Sequence, residues 1–164
     1  MNIVNGNKHI ARKRFGQHFL KDAQILQRIV TAFVPRNDQN LVEIGPGLGA
    51  LTTALLERIN HLTVIEVDRD LAEFLRNQFA RDKLTVLEMD ILKCDLSRIK
   101  RLHPDKPLRL IGNLPYNIST PLIFHLLEQV DLLEDMMFML QREVALRLTA
   151  KPGNKNYGRL TVMA

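Results

Sequence analysis

Between residues 40 and 140 two hydrophobic periods alternate along the chain. Short continuous apolar runs centre on Val42-Glu43-Ile44, Leu62-Thr63-Val64-Ile65, Leu84-Thr85-Val86-Leu87, Leu108-Arg109-Leu110-Ile111 and Met136-Met137-Phe138-Met139-Leu140. Runs of this kind predict strands covered on both faces, the hallmark of a parallel sheet, and Met136, Met137 and Met139 accordingly read as part of a buried strand. Between the runs, apolar residues recur every three or four positions and predict amphipathic helices. A first helix spans residues 22–33, with Ile25, Leu26, Ile29, Val30 and Phe33 on one face, and a second runs through Leu51, Leu55, Leu56 and Ile59. A third spans residues 69–80 and buries Leu71, Leu75 and Phe79, while Pro121 is read as the start of a fourth through Leu122, Ile123, Leu126 and Leu127. The basic stretch 93–109 reads as a surface connection. Strand-helix alternation with right-handed crossovers gives an α/β, doubly wound, mostly parallel sheet of about five strands. Its motif-bearing loops then meet at the C-terminal edge, where such sheets hold ligands.

The strand ends carry the chemistry. After the first run come Gly45-Pro46-Gly47-Leu48-Gly49 and then a helix, a turn in which glycines allow close approach of a ligand to backbone N–H groups. Glu66, ending the second strand, stands about where an acidic residue grips the two hydroxyls of a ribose, and Asp90, ending the third, can accept a hydrogen bond from an adenine amino group. Asp68, just before Arg69-Asp70-Leu71, reads as a helix cap. Gly45, Gly47 and Ala50 also satisfy the loose dinucleotide pattern, so the loop alone leaves a nicotinamide-dependent oxidoreductase open.

The fourth strand ends in Asn113-Leu114-Pro115-Tyr116. An ordinary strand-to-helix turn would explain these residues singly. Together they form a clamp for a planar amine: the Asn113 side-chain oxygen and the Leu114 carbonyl each accept one amine N–H, Pro115 fixes the backbone, and Tyr116 stacks on the ring. With both hydrogens held, the nitrogen lone pair is directed at an electrophilic methyl group. Hydride transfer has no use for such a clamp, which is the geometry of a flipped-out nucleobase.

Composition fits this chemistry. The 164 residues, 46% hydrophobic, suffice for one globular domain, and the net charge of +5 favours a polyanionic partner. Lys8, Arg12, Lys13, Arg14 and Lys21 all precede the first acidic residue, Asp22, and read either as a basic arm suited to phosphates or as an ordinary solvated terminus. Cys94 is the single cysteine, which excludes an intrachain disulfide and fits a reducing cytoplasm; no Cys/His metal spacing and no membrane-length apolar run occur. His125 reads as a packing or surface residue, and no general base is assigned.

Three segments, Arg14-Phe15-Gly16-Gln17-His18-Phe19-Leu20, Glu43 through Gly49, and Gly112-Asn113-Leu114-Pro115-Tyr116-Asn117-Ile118-Ser119-Thr120-Pro121, resemble the ribosomal RNA adenine N6-dimethyltransferases. The longer third segment is closer to the small-subunit enzymes than to the antibiotic-resistance methylases of the large subunit. This resemblance implies a Rossmann-like class I methyltransferase fold, S-adenosyl-L-methionine as methyl donor, and dimethylation of two adjacent adenines in a hairpin near the 3′ end of small-subunit rRNA during ribosome biogenesis. By position it places His18 and Leu20 over the cofactor, Gly45 and Gly47 at its amino-acid end, Glu66 at its ribose, Asp90 at its adenine, and Asn113 between cofactor and target. Many relatives carry Asn where His18 stands. The resemblance further implies a full-length monomer working in the cytoplasm without metal or membrane. It divides the chain into an arm and cofactor-covering motif over residues 1–21 and a cofactor-binding domain over residues 22–164. Because the family's catalytic sheet has seven strands followed by a small helical domain, the chain is expected to be a truncated form, weakly active or inactive. The remaining alternative is a noncatalytic RNA-binding assembly factor.

Overall fold

A computed structural model describes residues 2–4, 7–9 and 22–163. Near the N-terminus β1 (Asn2–Val4) pairs antiparallel with β2 (Asn7–His9), a pairing the sequence pattern did not indicate. Helix α1 (Ala23–Phe33) starts where Asp22 Oδ1 accepts the N–H groups of Gln24 at 2.9 Å and Ile25 at 3.2 Å, and it buries Leu26, Val30 and Phe33. The main sheet then alternates with helices: β3 (Asn40–Ile44), α2 (Ala50–Leu56), β4 (Leu62–Glu66), α3 (Arg69–Gln78), β5 (Leu84–Glu88), α4 (Leu96–Lys100), β6 (Leu108–Asn113), α5 (Tyr116–Leu127) and β7 (Leu133–Met139). Two short helices, α6 (Arg142–Leu148) and α7 (Arg159–Met163), follow.

All five strands are parallel, in the order β5-β4-β3-β6-β7. The direction of winding therefore reverses between β3 and β6, and the ends of these two strands open into a crevice. Alternation along the central strands divides the core. Leu41, Leu62 and Val64 pack with Val30, Phe33, Leu55 and Leu75 of α1, α2 and α3. Val42, Ile44, Ile65 and Leu110 face the other way, against Leu96, Ile99, Leu122 and Leu126. Every residue of β3 and β4 is buried, as continuous apolar runs require.

Three expectations need correction. Helix α5 begins at Tyr116, so Pro121 lies inside it rather than at its start. Pro121 has no N–H to give the carbonyl four residues back, and beside it the buried Ser119 hydroxyl donates to the Pro115 carbonyl at 2.9 Å, holding the first turn together from the side chain. The stretch 93–109 is more than a surface connection: Leu96 and Ile99 of α4 are fully packed, and Arg109 is only 7% exposed. Finally, β7 is half-buried rather than buried. It lies last in the sheet order, and Met136, Met137 and Met139 each keep partial exposure.

The crevice depends on one glycine. Gly112 pairs with Ile44 across the β3–β6 junction, and a Cβ added there would lie 2.4 Å from the Ile44 carbonyl oxygen. Backbone cannot yield as a side chain does, so Gly112→Ala must push the two site-bearing strands apart. The expected result is a loss of about 2 kcal/mol in urea unfolding, at the level of other overpacked sites, with weaker ligand binding in the crevice. An unchanged midpoint would show that the junction has slack.

Candidate active site

Four consecutive strand ends build one wall-lined cleft: the glycine loop after β3, Glu66 and Val67 after β4, Met89 and Asp90 after β5, and Asn113 with Pro115 after β6. Gly45, Gly47, Glu66, Asp90, Asn113 and Pro115, singled out in the sequence on separate grounds, thus line a common space.

Backbone geometry explains the glycines. Gly45, Gly47 and Gly49 have φ of 67°, 59° and 80°, in the left-handed region that side chains rarely adopt. Gly45 N–H stays in the sheet, donating to the Ile65 carbonyl at 2.9 Å. Gly47 N–H donates instead to Glu66 Oε2 at 3.2 Å, while Glu66 Oε1 accepts the Asp68 N–H at 2.9 Å. The Glu66 carboxylate therefore ties the glycine loop to the end of β4. Burial pushes its pKa up, and the Asp68 and Gly47 N–H groups pull against that. Gly49 has a packing role, because a Cβ there would meet the Phe79 ring at 3.0 Å.

Asp68 caps α3, its Oδ1 accepting the Asp70 N–H at 3.0 Å, as its position in the sequence indicated. Asp90 serves the loop as well as the cleft: its Oδ1 accepts the Leu92 N–H at 3.0 Å and starts the 3-10 turn Ile91–Lys93. One carboxylate has lone pairs for both the cap and a ligand amino group.

At the fourth strand end, Leu114 N–H donates to the Met139 carbonyl at 3.2 Å, and its side chain is buried in the core. Pro115, with φ −59° and ψ 141°, turns the chain into α5, where its carbonyl receives the Ile118 N–H at 3.2 Å and the Ser119 hydroxyl. The backbone of Leu114 and Pro115 is thus pinned on both sides. Tyr116 opens the helix, 54% exposed and outside the lining of the cleft. His18 and Leu20 lie outside the described residues. His125 is half-buried, its Nε2 2.8 Å from the Cys94 carbonyl, a packing arrangement.

One polar residue of the cleft wall was given no role in the sequence reading. Glu43 is fully buried, its Oε2 accepting the Thr52 hydroxyl at 2.7 Å, and it lines the cleft. Burial raises its pKa to about 8, the Thr52 hydrogen bond opposes the rise, and the charge of Glu66 adds to it. The signal available beforehand was one carboxylic acid inside an otherwise apolar strand.

The chain matches the family described as "Ribosomal RNA adenine dimethylase" over residues 8–164. It is 58% identical over 157 residues to a Ribosomal RNA small subunit methyltransferase A from Shewanella sp. (strain MR-7), covering 95% of this chain and 58% of that protein. The chain thus spans less than two thirds of the length of the curated relatives it matches. Among solved structures it is similar to a dimethyladenosine transferase from Plasmodium falciparum, with TM-score 0.73 and 32% identity over 88% of this chain and 51% of that one. It is also similar to the 23S rRNA methyltransferase ErmE, with TM-score 0.72 and 30% identity over 88% of this chain and 56% of that one.

Proposed function

The chain belongs to the ribosomal RNA adenine dimethylase family, and on that premise we propose that the protein transfers methyl groups from S-adenosyl-L-methionine to N6 of two adjacent adenines of small-subunit rRNA, in the cytoplasm, during ribosome biogenesis. The observation that carries the choice of cofactor is the charge of the cleft. Three carboxyl groups, Glu43, Glu66 and Asp90, line it, with no Lys, Arg or His among the described lining residues. A ligand of net positive charge suits this wall better than the anionic pyrophosphate of a nicotinamide dinucleotide.

The donor supplies a sulfonium methyl when bound. Glu66, already oriented by two backbone N–H groups, accepts from the ribose hydroxyls, and Asp90 accepts from the adenine amino group. Asn113 Oδ1 and the Leu114 carbonyl hold the amine of the target base at the β6 end of the cleft, and Tyr116 offers its exposed ring to that base. Positioning supplies the rate, and the alkylated amine sheds its proton to solvent without an assigned base. The basic residues of the N-terminal arm and the net charge of +5 favour the RNA backbone as partner.

Calorimetric titration tests the cofactor. S-adenosylmethionine is expected to give saturable heat with the chain and NAD none. Saturable binding of NAD alone would replace the methyltransferase reading with a dehydrogenase one.

A further inference from the structure

Glu43 has a place in the cleft that the transfer chemistry above leaves unused. It stands at the centre of the sheet, between Val64 of β4 and Ile111 of β6 in register. Among the described residues the groups facing it are few. From α2 comes the Thr52 hydroxyl, which does not titrate; from the end of β4 comes Glu66, of like charge. The residues that α1 and α3 bury on this side of the sheet, Leu26, Val30, Phe33 and Leu75, are apolar. A buried carboxylate with a single hydroxyl donor and an acidic neighbour is poorly stabilised as an anion.

We infer that Glu43 is a proton-linked sensor of ligand charge: it is a neutral acid in the empty cleft and releases its proton to solvent when a cationic ligand enters. The inference rests on the S-adenosylmethionine reading of the cleft. That donor carries a sulfonium cation which its demethylated product lacks, so the ionised Glu43 favours the donor, and reprotonation of Glu43 from solvent accompanies replacement by the product. With a pKa of about 8 for Glu43 in the empty cleft, full coupling releases about 0.9 protons per donor bound at pH 7 and about half a proton at pH 8. Donor affinity correspondingly rises about tenfold from pH 6 to pH 7.

The experiment is calorimetric titration of the chain with S-adenosylmethionine, and separately with S-adenosylhomocysteine, at pH 7 in phosphate and in Tris, whose different ionisation heats report the protons released. The expected result is close to one proton for the methyl donor, markedly less for the homocysteine product, and a loss of most of the donor-linked release in Glu43→Gln. Thr52→Val, which removes the one hydroxyl favouring the anion, is expected to increase the release at pH 8. Circular dichroism establishes that each variant is folded, and the wild-type proton count stands without them. Saturable donor binding with no proton release, or with equal release in folded Glu43→Gln, overturns the inference alone. The absence of saturable donor heat overturns the cofactor reading and this inference with it.

Discussion

Asn113→Ala, introduced into a form extended to the length of the relatives, is expected to lower methyl transfer by about 10³-fold, the scale on which a single preorganised polar contact to the reacting group contributes. The residue closes β6, pairs in register with Met139 and lines the cleft beside Pro115. In the proposed amine clamp its side-chain oxygen would be the second acceptor beside the Leu114 carbonyl. Truncation removes that oxygen and keeps the strand. Thermal unfolding should therefore change little, while single-turnover transfer of labelled methyl groups to small-subunit RNA collapses. Normal turnover in Asn113→Ala would remove the clamp from the mechanism.

Arg109→Ala is expected to have the largest effect on stability. Its guanidinium grips Asp135 through two bonds of 2.8 and 2.7 Å, reaches the Phe33 carbonyl at 2.9 Å and Gln39 Oε1 at 2.8 Å, and lies 4.2 Å from the centre of the Phe33 ring. One side chain thereby fastens the end of α1 and the loop behind it to β6 and β7. Removing it strands the buried Phe33 carbonyl and empties the space over the ring, a combination costing roughly 3 kcal/mol. For a chain of this size that corresponds to a fall of about 6–12 °C in the unfolding midpoint. Asp135 is about half exposed in its side chain, so Asp135→Asn should cost less than about 1 kcal/mol. Equal losses in the two variants would mean that the ion pair, and not the carbonyl and ring contacts, holds the corner.

The arrangement of the sheet was legible because its information is local and repeated. Continuous apolar runs separated by helical periods read as strands of a parallel sheet, and the turn residues after each run sit at the same edge once the crossovers share one hand. Glu66 and Asp90 could be placed by that logic alone. Arg109 could not: its partner is 26 residues away on a strand whose neighbour the pattern did not identify, and in sequence it resembles the tail of an ordinary basic run. Glu43 was hidden by its apolar surroundings, which are what gives it its altered acidity. The start of α5 was misplaced because Pro121 imitates a first-turn proline, and the Ser119 bonds that permit a proline inside the helix have no linear signature. Met136, Met137 and Met139 look interior by composition, yet position in the sheet order decides how far a strand is covered.

The hydrogen bonds from Gly47 and Asp68 to the two oxygens of Glu66 have a thermodynamic consequence. A carboxylate that must first be collected from many rotamers loses freedom when its ligand arrives, and that loss is subtracted from affinity. Here the ordering is completed during folding, within the same cooperative transition that forms the sheet. If Glu66 holds the ribose as proposed, part of the free energy of folding reappears as affinity for the nucleoside, and the strength of that recognition becomes a property of how firmly the two loops are knit together.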